Sequence, residues 1–187
     1  MNSKSDIDFG FSVPSTPIIP KYIKFSGLAI SEGEEKNIGK TENIRANVKH
    51  RYAEYHKRFE RAARSEPLEY GIYSACDGLI AEWSLNAGSN FGDIIQSIYL
   101  ESISNKICLL ALIKAISAIE YDLVYPSGQL IALAALSHQD IEVIEAGIRA
   151  YEHWETKKGV LALKNCKTHV EWLDEYRRET LEHLESI

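Results

Sequence analysis

The residues of this chain that are best suited to chemistry are its cysteines, histidines and closely spaced carboxylates. Cys166 and His169 have the spacing of two ligands of a zinc site, but no second close pair completes a set of four. A nucleophilic Cys–His pair depends on proximity in the fold, which spacing does not predict. Asp77 and Glu82 are five residues apart and do not share a helix face. We therefore name no catalytic residue, no metal ligand and no cofactor, and an enzymatic activity stays open.

Segment 33–41 is similar to a phosphate-binding loop. It reads GEEKNIGKT and follows a predicted strand at 22–30. Five residues separate its glycines where the motif has four, and Glu34 and Glu35 would face the phosphates. Because the backbone N–H groups of such a loop must converge on the anion, this spacing favours a solvated turn, with Thr41 capping the helix that follows.

A basic segment precedes an acidic remainder of the chain. Residues 36–64 hold nine Lys or Arg and three Glu, a net charge of +6, whereas residues 65–187 have a net charge of −10. Apolar residues recur at helical spacing from Ile44 to Ala62, which predicts an inner face and, opposite it, a basic outer face. The candidate partner-binding residues of this outer face are Lys49, Lys57, Arg61 and Arg64.

Three interpretations of the basic outer face stay open. It is solvated, or it contacts an acidic protein surface such as the outer side of the last predicted helix, or it binds nucleic-acid phosphates. The acidic remainder of the chain and the lack of aromatic side chains between the cations disfavour nucleic acid. We expect a protein partner or a homo-oligomer, with nucleic-acid binding through the basic helix at 42–64 as the alternative.

The elements that must position these residues are helices. After the helix that begins at Thr41 and ends before Pro67, apolar periodicity predicts helices at 68–85, 91–102, 104–121, 129–137, 140–154, 160–165 and from Thr168 onward. Leu68 and Ile72 are predicted on an inner face, and Thr168 with Glu171 has the pattern of a capping box. The helix at 104–121 is apolar on nearly all sides and should be central. We predict an all-α fold.

The stretch 129–154, QLIALAALSHQDIEVIEAGIRAYEHW, resembles one HEAT-type repeat, an antiparallel helix pair. The residues that match the second helix of such a repeat are Asp140, Val143, Ala146 and Ala150. Ile141 stands where the repeat usually has Pro, Ile144 stands where it usually has Arg, and the other helix pairs do not clearly repeat the pattern. The resemblance implies a short α-solenoid that binds protein or nucleic acid. The alternative is a multi-helix bundle with one Asp-capped hairpin.

Residues 1–40 differ in composition from the rest of the chain. Pro14, Pro17 and Pro20 disfavour a helix, and large apolar residues surround them. We predict an extended N-terminal arm at 1–40 and an α-helical domain at 41–187. The arm either packs on its own domain or docks into a groove of a partner. Its candidate partner-binding residues are Phe11, Ile18, Ile19, Tyr22 and Phe25.

Composition and terminal sequence suggest a cytoplasmic location. The three cysteines are odd in number and far apart, so they indicate no disulfide framework, and the first residues lack a signal-peptide pattern. The longest apolar stretch, 107–119, is interrupted by Lys114 and is too short to cross a bilayer. We expect no membrane partner. The expected function is that of a scaffold or adaptor subunit of a larger intracellular assembly.

Overall fold

A computed structural model describes residues 50–187 of the chain. The predicted arm at 1–40, the cap Thr41 and the candidate residue Lys49 lie outside the described residues. The predictions made for them, and the domain boundary at 40/41, therefore stay predictions.

Helices make up the described part of the chain, and no strand occurs in it. The all-α prediction is confirmed. The first helix, α1, covers residues 50–65 of the described part. The helices that follow are α2 (Ala75–Asn86), α3 (Phe91–Ser102), α4 (Lys106–Ser117), α5 (Tyr121–Val124), α6 (Ser127–Ala135), α7 (Ile141–Trp154), α8 (Lys158–Asn165) and α9 (Glu171–Ser186), with a 3₁₀ turn at Gly88–Asn90.

Helix α4 is the centre of the core. All ten residues from Cys108 to Ser117 are buried, and α4 packs against α2, α3, α6 and α7. Asn105 caps it, with Oδ1 accepting a hydrogen bond from Cys108 N at 3.4 Å. The apolar composition on all sides of the predicted helix at 104–121 correctly indicated this position, although the helix ends at Ser117 and Tyr121 begins the separate α5. Within residues 50–187 no helix combines the length and the apolar character that crossing a membrane requires.

Helices α6 and α7 form an antiparallel hairpin. Asp140 caps α7, since its Oδ1 accepts a hydrogen bond from Glu142 N at 3.0 Å. The two helices approach closely at Gly147, where a Cβ atom would lie 3.0 Å from Ala135 Cβ and 3.1 Å from the Ala132 carbonyl oxygen. The residues of α7 that face the core include Val143, Ala146, Gly147, Ala150 and Trp154. The hairpin expected at 129–154 is therefore present.

The segment before α2 differs from its prediction. A helix was expected from Leu68, but α2 begins only at Ala75, and Ile72 is 57% exposed. Ser74 and Asp77 form a capping box in which Asp77 Oδ2 accepts a hydrogen bond from Ser74 N at 2.7 Å. These local side-chain bonds end the loop at Ser74, and Gly71, with φ of +83°, has a backbone conformation that a helix does not allow.

The capping box predicted at Thr168 is wrong. The residue at the N-cap of α9 is Val170, and it makes no side-chain cap bond. The Thr168 hydroxyl oxygen instead accepts a hydrogen bond from Val170 N at 3.2 Å, two residues away. Because Thr168 lies in this tight turn, two residues before the N-cap position, its hydroxyl does not reach the first amides of the helix. The inner face of α9 is buried through Leu173, Thr180 and Leu184.

Candidate functional site

Helix α1 packs on the core through one face. Phe59 is fully buried and Ala63 nearly so. The Tyr55 ring meets the Trp83 ring of α2 edge-on, with centroids 5.0 Å apart. On the flank, Arg58 lies over the same Trp83 ring at 5.5 Å and pairs with Glu82 at 3.5 Å. This packing turns the opposite side of α1 away from the core.

The predicted basic residues occupy that opposite side. Lys57, Arg61 and Arg64, at spacings of four and three residues, are exposed, and we call them the basic face. Lys57 Nζ lies 3.4 Å from Glu54 Oε1, and Arg64 Nη2 lies 2.8 Å from Glu60 Oε1. The side chains of Lys57 and Arg64 are 66% and 61% exposed, and Arg61 has no ion pair among the described residues.

These ion pairs do not fix the basic face to one partner. Both join side chains of the same helix in water, where such a pair contributes about 0–1 kcal/mol. A stronger anionic partner could therefore exchange with Glu54 or Glu60 at little cost. The structure brings Lys57, Arg61 and Arg64 together as predicted, and Lys49 lies outside the described residues.

Helix α9 has an acidic counterpart to the basic face. Four exposed carboxylates recur at spacings of four, four and three residues on the side opposite the buried face, and we call them the acidic stripe: Glu171, Glu175, Glu179 and Glu182. Between residues 50 and 187 none of the four has an ion pair, whereas Asp174 pairs with Arg177 and Glu185 pairs with Lys164. Like charges at i, i+4 destabilise a helix by about 0.2–0.5 kcal/mol per pair, so packing rather than surface charge holds α9.

The acidic stripe and the basic face do not neutralise each other within the described part of one molecule. No ion pair or hydrogen bond joins residues 50–65 to α9 there. The interpretation that the two helices attract each other inside one chain thus has no contact to support it. In the part of the chain that the structure describes, the side chains of both surfaces are exposed.

A second site, which the sequence did not predict, is a buried ion pair beneath the loop before α2. Lys114 of α4 and Asp77 of α2 are 8% and 5% exposed. Lys114 Nζ lies 2.6 Å from Asp77 Oδ2 and donates a second hydrogen bond to the Ile72 carbonyl oxygen at 2.9 Å. The sequence does contain a signal for this ion pair. Lys114 interrupts a helix that is otherwise apolar on nearly all sides, and an unpaired ammonium would be too costly to bury there.

The cysteines give no sign of reactive thiols. Cys76, Cys108 and Cys166 are all buried, as expected for Cys76 and Cys108. Burial raises the pKa of the Cys76 thiol to about 12 and raises the pKa of the other two thiols, which keeps them protonated and unreactive at neutral pH. The residues described contain no cluster of three or more His, Cys, Asp or Glu side chains placed to hold a metal ion.

Comparison of the chain with protein-family models, with curated proteins and with solved structures finds no match.

Proposed function

We propose that this chain is a protein-interaction module, a scaffold or adaptor subunit, that binds an acidic protein surface through the basic face of α1. The observation that carries the proposal is the arrangement of Lys57, Arg61 and Arg64 in one exposed row on a helix whose other side is packed on the core. Charges placed in this way steer an oppositely charged partner and fix its orientation.

The acidic stripe of α9 is an example of the surface that the basic face fits. Its four carboxylates recur at helical spacing and lack ion pairs within residues 50–187. A second copy of the chain is thus one candidate partner, and another protein with a similar acidic helix is the other. A contact between the basic face of one copy and the acidic stripe of the next would be heterologous. Successive copies would then form an open filament, unless they closed into a ring.

The α6–α7 hairpin supports a scaffold role, and we propose that it is a HEAT-like unit. Asp140 caps its second helix, and Val143, Ala146 and Ala150 are buried, as the resemblance requires. Small residues at such positions let helices approach closely and stack, which creates the extended surfaces that helical-repeat proteins use for binding.

The test compares three versions of the full chain. The first is the natural sequence, and the second replaces Lys57, Arg61 and Arg64 with Gln. The third, a control with the same loss of charge, replaces Lys157, Lys164 and Lys167, three exposed lysines on and near α8, with Gln. Partners that co-purify from the source cells are identified for each version, and association with the identified partner, or with a second copy, is then measured at low and high salt.

We expect the natural chain and the control to bind one acidic protein, and the second version to bind it more slowly. Because rim charges act mainly on the association rate, the difference should shrink as salt is added. Equal binding by all three versions would contradict the proposal.

Random-sequence duplex DNA and single-stranded RNA are titrated in parallel to test the alternative function. If the basic face binds phosphates, affinity should fall with salt, and the slope for duplex DNA should flatten by roughly 0.9 log unit for each lost contact in the Gln version. That result would replace the acidic protein partner with nucleic acid. The expected outcome is weak binding that is the same for the Gln version and the control.

A further inference from the structure

A groove of about 710 Å³ lies at the C-terminal end of α1, between the segment that follows α1 and the first turns of α4 and α7. Its apolar lining includes Ala63, Leu68 and Leu110, which are buried or half-buried, and Ile107 of α4, which is 54% exposed. Arg64 is among the charged side chains that complete the lining. Because Arg64 also belongs to the basic face, the groove and the basic face form one continuous surface.

Helix α9 has a complementary surface at its N-terminal end. Trp172, in the first turn of α9, is 49% exposed and precedes Glu175 of the acidic stripe by three residues. Residues at this spacing are neighbours on a helix surface, so Trp172 lies beside the stripe. Trp is one of the side chains that contribute most to the binding energy of protein interfaces, usually within a rim of polar groups. An exposed Trp next to a row of carboxylates therefore has the composition of a docking surface.

The two surfaces match in length. Lys57 and Arg64 are seven residues apart, which is about 10.5 Å along a helix axis. Glu175 and Glu182 are also seven residues apart. When α9 of a second copy lies antiparallel to α1, Arg64 faces Glu175, and Lys57 at the other end faces Glu182. Trp172 then lies about 4.5 Å beyond Arg64, at the position of the groove.

The opposite, parallel arrangement fits less well. It would place Trp172 beside Glu54, where the neighbouring side chains include the cations of Arg51 and Arg58 instead of an apolar groove. The antiparallel arrangement also brings the N-terminus of α9 to the C-terminus of α1. The partial charges at these two helix ends are opposite, so they attract each other.

We propose that the groove and the basic face together bind α9 of a second copy of this chain, with Trp172 of that copy in the groove and its acidic stripe along Lys57, Arg61 and Arg64. This inference rests on the proposed function and identifies the acidic partner as the chain itself. A Trp side chain buries about 150–250 Å² of surface, and the Arg64 guanidinium can stack on its ring. The three cations also relieve the repulsion among the carboxylates of the stripe.

The test measures self-association of the full chain by sedimentation velocity at increasing concentration, at low and at high salt. We expect association that weakens as salt is added, because the paired charges lie at the surface. Trp172→Ala should weaken association at least about tenfold, since it removes the apolar anchor of the contact. Leu85→Ala, at a position of α2 that is 81% exposed, is the control and should associate like the natural chain. Circular dichroism verifies that each variant is folded.

A mixture of two variants distinguishes a lost contact from a lost fold. Ile107→Glu places a carboxylate in the groove from an exposed position in the first turn of α4, where a negative charge suits the helix end. Alone, this variant and Trp172→Ala should both be monomers at a concentration where the natural chain is associated. In an equimolar mixture, the Trp172 side chain of the first variant meets the unchanged groove of the second. A complex of two chains should therefore form.

The inference is wrong if the natural chain stays monomeric up to about 1 mM, a concentration at which even a weak specific contact forms. Unchanged association of Trp172→Ala or of Ile107→Glu would equally overturn it, as would a mixture that forms no complex. These results are separate from the test of the proposed function. If the Gln version of the basic face still loses a co-purified acidic protein, the proposed function stands with that protein as partner. If the Gln version loses no partner, the proposed function fails as well.

Discussion

Lys57 and Lys114 each lie opposite a carboxylate, but the two pairs are in contrasting regions of the molecule. Lys57 meets Glu54 at 3.4 Å on the exposed side of α1, where its side chain is 66% exposed. Lys114 meets Asp77 at 2.6 Å beneath the loop before α2, where both side chains are nearly inaccessible. Water screens the first pair, so its energy is small and its partner can change. The second pair was removed from water on folding, so each member depends on the other.

The comparison explains why the two pairs differ in what they can contact. A cation that stays hydrated can attract a macromolecular partner from a distance and release its local glutamate on contact. A buried pair acts only at short range, through hydrogen bonds whose geometry the core fixes. The proposed association with a protein partner therefore depends on the basic face, whereas the buried pair joins α4 to α2 inside the fold.

The largest expected effect is at the buried pair. Lys114→Met removes the partner of a buried carboxylate and should lower the free energy of unfolding by about 3–5 kcal/mol. Lys157→Met, at an exposed position without an ion pair among the described residues, is the control and should change it by less than about 0.5 kcal/mol. Urea unfolding followed by circular dichroism measures both. Similar values for the two variants would remove the contrast between buried and exposed pairs.

A substitution that disturbs the packing between α6 and α7 should have the next largest effect on the free energy of unfolding. Gly147→Val places a branched side chain where even a Cβ atom would lie 3.0 Å from Ala135 Cβ, so it should destabilise the chain by about 1–3 kcal/mol. Ala134→Val, at an exposed position on α6, introduces the same side chain without the contact and should cost less than about 1 kcal/mol. Thermal unfolding measures the stability of both variants. If Gly147→Val were the more stable, the close approach of the hairpin helices would be wrong.

Loss of the cap of α7 should lower the free energy of unfolding by less than the two preceding substitutions. Asp140→Ala removes the acceptor for Glu142 N and should cost about 1 kcal/mol at neutral pH. The hydrogen bond from Lys106 lowers the pKa of Asp140 below its ordinary value of 3.8, and hydrogen bonds from backbone N–H groups add to this. The stability that the carboxylate contributes is therefore present above pH 3.8 and is lost as the pH falls through the lower folded pKa.

This cap prediction is checked by measuring the free energy of unfolding of both proteins from pH 7 downward. The difference between the natural chain and Asp140→Ala should narrow as Asp140 takes up its proton. A difference that widened in acid would mean that the charged form of Asp140 does not support the cap.

The smallest effect on stability is expected at the basic face. Replacement of Lys57, Arg61 and Arg64 with Gln should change the free energy of unfolding by about 0.5 kcal/mol or less, because their ion pairs are exposed. The same replacement is expected to slow partner binding, so function and stability separate here. Urea unfolding of the Gln version beside the natural chain provides the measurement. A loss of several kcal/mol would show instead that the row of cations supports the fold.

Sequence patterns predicted an element well where local signals agreed. The predicted helix at 91–102 coincides with α3, and Asp140 and Trp154 mark the limits of α7 as expected. Asp140 has the side chain of a cap, and the apolar residues after it recur at helical spacing, so local chemistry and burial favour the same helix. Sequence reasoning failed before α2, where the apolar residues Leu68 and Ile72 suggested helix but Ser74 and Asp77 formed a capping box further on.

The candidate sites divide in the same way. Residue type and helical period alone predict the basic face. Cations on the side of a helix opposite an apolar stripe lie on its outer side once that stripe is buried. The periodic pattern of the sequence thus determined the grouping of Lys57, Arg61 and Arg64, as well as the helical class of the fold. Only the tertiary structure decided that Asp77 and Lys114, 37 residues apart, share one buried site. Such a contact depends on how α2 packs against α4 and on the path of the loop between α1 and α2, and no local pattern in either segment specifies that packing.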